Sequence, residues 1–459
     1  MSGVLSVRSV PFLGERSPGN QPLTWGQQWI WRAVSTQAPE YAHLGWPFRV
    51  DVPSGCDLES VLSALSAILR RHETLRTRFF VDEQGIPGQI VVEQGELQVE
   101  VRDGGSEDVA GSVQQAQEEL GRLPFTIPEI SVRAAVILSE GVPRHVVLVV
   151  FHMAIDAWGM HRITGELVQF LRARAEATDL PALEEISHPT DRAQQEASPA
   201  GRRRSQAVMK RWRRAIDTFP RIALPDSGSA PETPRFKEHT LYSKALFVAA
   251  PALARELRTD VGSVILAHSL RLLGKLSGNP RCGFLVFSHN RFQDEDLRYS
   301  GTLVQSVPVG VDVEAAGLGE LVRACHQSVL RAVMGGAGDP NEFAALLEDF
   351  AAETGHAADV SCAFNLLFPE FGTAAEQHGN SSWATESTAR ALLAESRFGS
   401  VKGCRWDDMK FYLGAYAERG ELIVMLRADT ALLPSAEIAR FLANLESSVV
   451  DSLADQSCQ

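Results

Sequence analysis

A mixed α/β (α+β) protein folded as two lobes is what the sequence predicts, and three observations carry that prediction. Its 459 residues with 44% hydrophobic content suffice for two cores of ordinary size. Strand-like and helix-like segments occur in similar proportion in both halves, without the short-period repeat that marks a solenoid. Between Ser187 and Pro234 the composition shifts to Pro, Ser, Gly and Arg, around one helix-like piece from Arg202 to Asp217. These place a first lobe at residues 1–190, a linker with a basic helix at 191–234 and a second lobe at 235–459.

In the first half, Leu58, Val61, Leu62, Leu65, Ile68 and Leu69 recur at helical spacing, with Asp57 near the N-cap. Thr77 to Val81, Ile90 to Val92, Leu97 to Val101, Val132 to Leu138 and Val146 to Phe151 read as strands separated by turn residues. A helix follows from about Met160 to Ala175. In the second half, Lys244 to Val248 reads as a strand leading to a helix near Pro251. An apolar helix then runs from Val261 to Leu276 and stops at Ser277-Gly278-Asn279-Pro280. Phe284 to Phe287 and Leu303 to Val313 read as strands, and Leu318 to Met334 and Asn341 to Ala352 as helices. Strands near Val360 to Phe368, Asp408 to Ala417 and Glu421 to Leu426, and a helix from Ser435 to Leu453, complete the series.

Composition narrows the function classes. The six cysteines, Cys56, Cys282, Cys325, Cys362, Cys404 and Cys458, lie far apart without metal-ligand spacing, which predicts a reducing compartment and no metal. Met1 to Asn20 lacks a basic segment followed by an apolar one, and no stretch approaches the ~20 apolar residues of a membrane span. A cytoplasmic protein without a membrane partner is expected. The net charge of -13 argues against general affinity for nucleic acid.

The most informative stretch is Val147-Leu148-Val149-Val150-Phe151-His152-Met153-Ala154-Ile155-Asp156-Ala157-Trp158-Gly159. An apolar run typical of a buried strand ends at a histidine, and an aspartate follows four residues later in a turn of small residues. That layout holds an imidazole rigid behind and open in front, as a general base requires. Alone, a strand-terminal histidine is more often a hydrogen-bonded structural residue. Elsewhere, His72 with Arg76 and Arg78 reads as a helix terminus carrying cations favoured by its dipole. His161 reads as a helix-surface or core residue. Gly335-Gly336-Ala337-Gly338 lacks the lysine and serine of a phosphate loop and reads as a turn. Arg202, Arg203, Arg204, Lys210, Arg211, Arg213 and Arg214 form a cationic run free of acids, either a solvated helix face or a docking surface.

Phe151-His152-Met153-Ala154-Ile155-Asp156-Ala157 resembles the HHxxxDG signature of nonribosomal peptide synthetase condensation domains, of the chloramphenicol acetyltransferase-like superfamily. Leu23-Thr24-Trp25-Gly26-Gln27-Gln28-Trp29-Ile30-Trp31 is similar to that family's opening block. Arg70-Arg71-His72-Glu73-Thr74-Leu75-Arg76-Thr77-Arg78-Phe79 is similar to its second. Asn290-Arg291, Gly301 to Val309 and Asp339-Pro340-Asn341-Glu342-Phe343 resemble later blocks in the right order.

The resemblance implies two acetyltransferase-like lobes in a V-shaped pseudo-dimer with a central tunnel. It implies a stand-alone condensation enzyme that joins an acyl or aminoacyl group, carried as a thioester on the phosphopantetheine arm of an acyl or peptidyl carrier protein, to an amine or alcohol acceptor. His152 would assist attack as base or positioning group, a contribution of roughly 10²–10⁴-fold. Asp156 would pair with Arg291 behind it, supported by Phe151, Ala157 and Trp158. Asn365, Gly301 and Ser306 would line or support the tunnel, and the basic helix would dock the acidic carrier. No cofactor bound by the protein itself is implied, and the family precedent is a monomer. The final helix runs nearly to Gln459, so action in trans on a separate carrier is expected.

Two positions leave the family pattern. Phe151 replaces the first histidine, and Ala157 replaces a glycine whose loss could forbid a left-handed backbone. Two alternatives therefore stand beside the condensation reading: a coenzyme A-dependent acyltransferase and a non-catalytic module that recruits a carrier protein.

Overall fold

The computed structural model describes residues 3–14, 16, 19–36, 44–105, 108–123, 125, 129–314, 317–367, 385–404 and 407–456. Phe368, the expected end of one strand, and Cys458 lie outside them. Contacts divide the chain into two units, Met1–Arg204 with His289–Val304, and Ser205–Ser288 with Gln305–Gln459. The division falls within the basic helix, and residues 289–304, expected in the second lobe, pack with the first unit. Their backbone bridges Tyr299 to Ser187, and Arg291 among them is buried against Asp156.

The first unit contains β1 (Val4–Leu13), β2 (Asn20–Pro22), α1 (Trp25–Thr36), β3 (Gly45–Asp51), α2 (Leu58–Arg71), α3 (Glu73–Arg76), β4 (Thr77–Val81), β5 (Pro87–Val91), β6 (Gln94–Asp103), α4 (Val109–Arg122), β7 (Val132–Ser139), β8 (Val142–Phe151), α5 (Ala157–Ala175), α6 (Pro189–Ala197) and the start of α7 (Pro199–Ile216). Its main sheet has the order β1-β6-β7-β8-β3, with only β6 and β7 parallel. β2, β5 and β4 form a small antiparallel sheet.

The apolar run before His152 follows from this arrangement. Val146, Leu148 and Val150 face a core shared with α2 and α5, while Val147 and Val149 face α4. A strand covered on both faces has no reason to alternate with polar residues. The β7–β8 hairpin closes through Glu140 and Gly141, both at positive φ (53° and 77°), the backbone that two-residue turns require. On α2, Asp57 caps the N-terminus by accepting from Ser60 N at 2.8 Å, and Val61, Leu65, Ile68 and Leu69 are at most 2% exposed. Each such burial contributes ~1.5–3 kcal/mol.

The second unit contains the remainder of α7, then β9 (Phe236–Ser243), α8 (Lys244–Leu257), α9 (Val261–Ser277) and β10 (Arg281–Ser288). After α10 (Asp294–Leu297), which lies in the stretch grouped with the first unit, come β11 (Gln305–Asp312), α11 (Leu318–Val333), α12 (Pro340–Thr354) and β12 (Cys362–Leu367). The helix Glu386–Leu392, β13 (Arg397–Phe398), β14 (Lys402–Cys404), β15 (Phe411–Glu418), β16 (Glu421–Asp429) and the helix Ser435–Gln456 follow. One sheet, ordered β11-β10-β12-β15-β16-β9-β13 with β14 also on β9, runs through this unit. The expected strand Lys244–Val248 is instead the start of α8. Ser243 accepts from Leu246 N at 2.8 Å and caps the helix, and a short apolar run does not by itself distinguish strand from buried helix.

Candidate active site

β8 ends at Phe151, and the chain then turns. His152 N donates to Leu44 O at 2.8 Å, which extends the pairing with β3 by one bond, and Ala154 N donates to Phe151 O at 2.8 Å. The half-buried His152 ring is fixed on two sides. Its Nδ1 lies 2.7 Å from the Ile155 carbonyl oxygen, and Trp46 stacks on it with centroids 4.0 Å apart. A carbonyl only accepts, so Nδ1 carries the hydrogen and Nε2 of the neutral ring keeps its lone pair. Burial pushes the imidazole below its ordinary range, opposed in part by the Ile155 carbonyl and the Asp156 charge.

Asp156 faces the other way. Buried at 4% exposure, it caps α5 by accepting from Gly159 N at 3.0 Å, and its Oδ2 accepts from Arg291 Nη1 at 2.7 Å and Leu303 N at 2.9 Å. Arg291 also donates to carbonyls of its own stretch, from Nη1 to His289 O at 3.1 Å and from Nη2 to Gly301 O at 2.7 Å, while its Nε has no partner among the described residues. The buried carboxylate and guanidinium thereby face each other and backbone groups rather than apolar surroundings, the condition under which such a pair is tolerated. Two glycines admit this stretch: a Cβ on Gly159 would lie 1.9 Å from Ser300 O, and one on Gly26 would lie 2.3 Å from Thr302 O.

Both departures from the family pattern are accommodated. Phe151 stacks on Phe125 (5.2 Å, 14°) and meets Phe79 edge-on (5.8 Å, 77°), so an aromatic cluster occupies the place a second imidazole would hold. Ala157 is the exposed first residue of α5, and its φ is not positive. The expected backbone conflict does not arise, because this position needs no left-handed conformation. Trp158 is 43% exposed and stacks on His289 (6.1 Å, 21°).

A second buried polar group reinforces the turn from behind. His72, at the C-cap of α2, lies with Nε2 2.7 Å from Glu166 Oε2 and Nδ1 3.1 Å from Ser300 Oγ. Burial would raise Glu166, but hydrogen bonds from His72 and Arg71 outweigh it and hold the carboxyl down at about 2. Arg71 Nε and Arg162 Nε lie 2.8 and 3.2 Å from the same carboxylate, and burial pushes the His72 imidazole below its ordinary range. Arg76, 1% exposed, donates to Leu69 O at 2.7 Å and so caps the carbonyl end of α2. His161 is exposed on α5, and Gly335 to Gly338 connect α11 to α12.

Other expected site residues sit elsewhere. Gly301 belongs to the first unit as a carbonyl for Arg291. Ser306, on β11, is fully buried in the second unit, and its Oγ has no hydrogen-bond partner among the described residues. Asn365, on β12, donates to Tyr412 Oη at 3.0 Å. On α7, Arg202 bonds Ala197 O, Arg204 lies over Trp25 (5.1 Å), Arg211 bonds Gly335 O, and Arg213 pairs with Asp217 and Glu353. Arg203, Lys210 and Arg214 are exposed. Trp46 was not singled out by sequence reasoning, although the apolar alternation Trp46, Phe48, Val50 was there to read. Among the described residues no cluster of three His, Cys, Asp or Glu side chains could hold a metal, and no helix is long and apolar enough to cross a membrane.

Comparison with known proteins agrees on the family. Chondramide synthase of Chondromyces crocatus is 23% identical over 444 residues, covering 95% of this chain and 11% of the synthase. An N-(5-amino-5-carboxypentanoyl)-L-cysteinyl-D-valine synthase of Amycolatopsis lactamdurans is 28% identical over 280 residues, covering 60% of this chain and 8% of that synthase. The chain thus spans a small part of the curated relatives it matches. Among solved structures, one describing condensation domain-mediated chain release from the enacyloxin polyketide synthase superposes with a TM-score of 0.71 at 19% identity, covering 95% of this chain and 84% of that one. The SgcC5 protein of Streptomyces globisporus superposes with a TM-score of 0.70 at 19% identity, covering 94% and 98%. These likenesses establish a shared α/β fold. The condensation domain family model matches residues 18–348, the span that holds β8, the His152 turn and the Arg291 stretch, and the chain belongs to that family.

Proposed function

We propose that this protein catalyses a condensation, transferring an acyl or aminoacyl group from a phosphopantetheine thioester on a carrier protein to an amine or alcohol in nonribosomal peptide or related biosynthesis. The observation that carries this reading is the 2.7 Å contact of His152 Nδ1 with the Ile155 carbonyl oxygen, which assigns the tautomer. With Nδ1–H committed to the Ile155 carbonyl, Nε2 is the atom able to take a proton, and burial keeps the ring neutral. The acceptor nitrogen or oxygen forms a bond to the thioester carbonyl carbon and passes its proton to Nε2. The carbon–sulfur bond then breaks, and the imidazolium returns the proton to the departing thiolate, which leaves as the free thiol. Asp156 and Arg291 act as positioning residues, because their hydrogen bonds run away from the ring and into the backbone on which it stands. Within this reading the enzyme is a cytoplasmic monomer whose exposed α7 cations meet the acidic carrier.

Product formation by His152→Ala, followed by mass spectrometry with an acyl-loaded carrier protein and a panel of amines and alcohols, tests the proposal. The expected loss is roughly 10²–10⁴-fold with an unchanged circular dichroism spectrum. Full turnover by the variant would overturn the assignment. The same assay with acyl-coenzyme A as donor tells a carrier-dependent enzyme from a coenzyme A-dependent one.

A further inference from the structure

A histidine that takes a proton becomes a cation, and its surroundings must stabilise that charge while it lasts. In a Ser-His-Asp triad a carboxylate on Nδ1 does so. His152 is arranged differently. Its Nδ1 meets the neutral carbonyl of Ile155 at 2.7 Å, and the carboxylate whose charge bears on the ring, Asp156, is bonded to Arg291 at 2.7 Å and to the amides of Gly159 and Leu303. Burial further disfavours the charged form. What the ring has instead is an indole face. Trp46 lies against it with centroids 4.0 Å apart and planes inclined by 27°, well inside the ~6 Å over which such a face attracts a cation.

The stack is built into the sheet. Trp46 pairs with Val150 on β8, two residues before His152, and the bond from His152 N to Leu44 O continues the same ladder at 2.8 Å. Trp46 and His152 are therefore diagonal neighbours across the strand pair, within reach of each other's rings. An indole face carries negative potential, so its attraction for the imidazole rises when the ring gains a proton and falls when the proton leaves. We propose that Trp46 is a positioning residue for acyl transfer whose ring face stabilises the imidazolium that His152 becomes when the acceptor's proton moves to Nε2. The charge disappears once the proton passes to the departing thiolate. The indole thus favours the interval between the two transfers over the resting state, the kind of interaction that raises a rate. The proposal rests on the acyl-transfer reading for the source of the proton and on the stack for everything else.

Trp46→Leu keeps an apolar cover over His152 and removes the ring face, whereas Trp46→Phe keeps a face. NMR titration of the His152 ring in the whole protein, assigned by the signal missing from His152→Ala, reads the midpoint in each. Proton affinity is expected to fall ~5-fold or more in Trp46→Leu, a midpoint lower by ~0.7, and by clearly less in Trp46→Phe. The kcat of acyl transfer should fall in the same order, with KM nearly constant. A second measurement leaves the fold untouched: replacing all tryptophans by 5,7-difluorotryptophan keeps the indole shape and weakens its face. That change should lower the midpoint in the parent and leave it in place in Trp46→Phe. A midpoint that stays or rises in Trp46→Leu, equal losses in the leucine and phenylalanine variants, or a fluorinated parent that titrates as before would each overturn the proposal. A parent that forms no product with any donor, yet shows the lowered midpoint in Trp46→Leu, would sink the acyl-transfer reading and leave the stack standing. Product formation with a midpoint indifferent to Trp46 would do the reverse.

Discussion

His152, the base we propose, is held by three neighbours with different tasks: the Ile155 carbonyl chooses the tautomer, Trp46 covers the ring, and the Leu44 carbonyl holds the backbone. On the proposed role of His152 as base, activity needs the neutral ring, and burial lowers its proton affinity, so the rate should fall only as pH drops through a midpoint below the ordinary ~6.5. Replacing Trp46 with alanine admits water to the ring. The midpoint should then move up toward 6.5, which a pH–rate profile of acyl transfer reads directly. Glu166 obeys the opposite rule. Its folded value of about 2 lies below the ordinary 4.5, so its contribution to stability is complete above 4.5 and is lost as pH falls toward 2. Urea denaturation at pH 5, 4 and 3 should show a shallower acid decline in Glu166→Gln than in the parent. At this scale the sequence exposed His152 and Asp156, because strand-end placement and motif spacing are local. The Trp46 stack was hidden, because it needs β3 laid beside β8, a pairing between residues about a hundred positions apart.

At the scale of elements, the start of α5 and the stretch 289–304 form one fitted joint. Gly159 is where they come closest, since an added Cβ would meet a backbone oxygen that no side-chain rotation can relieve. Gly159→Ala should therefore destabilise the protein by several kcal/mol or displace the stretch. Ala157→Gly, two residues earlier and exposed, should cost at most ~1 kcal/mol through helix propensity alone. Thermal melts of the two variants test the contrast, and equal effects would refute the fitted joint. Arg291→Met would leave the Asp156 carboxylate buried without its partner, with an expected loss of ~3–5 kcal/mol in denaturant titration. Helices with one apolar stripe, such as α2 and α11, were legible because the 3.6-residue period is a property of the chain itself. α8 was misread at its start, where Lys244 to Val248 carry an apolar run too short to show a period. β1 also escaped notice. Val4, Leu5 and Val7 are exposed on this edge strand, so burial leaves no alternation over its first half.

Across the whole molecule, the net charge of -13 contrasts with a cationic α7. Four of its seven cations are tied in place by carbonyls, carboxylates or rings, and only Arg213 among them is paired with acids, so the exposed Arg203, Lys210 and Arg214 are the part of the proposed docking surface that can be reversed with least disturbance to the fold. Reversing these three to glutamate should raise the Michaelis constant for a carrier-bound donor and flatten its dependence on salt, while an acyl-coenzyme A donor is affected less. An unchanged constant for the carrier would remove α7 from the docking surface. The two-lobe expectation came from length and composition, and both are global quantities. Neither could reveal that residues 289–304 leave the second unit's sheet between β10 and β11 to complete the first.

That excursion bears on how such a protein can be divided and recombined. A fragment ending at Arg204 would contain every residue of the His152 turn yet lack Arg291 and the Leu303 amide, two of the three donors that satisfy Asp156. The boundary of inheritance for the proposed active site is thus not a single cut in the chain. An exchange of halves between relatives preserves the first unit only if the incoming half brings an arginine at 291 and a backbone that slips past Gly26 and Gly159.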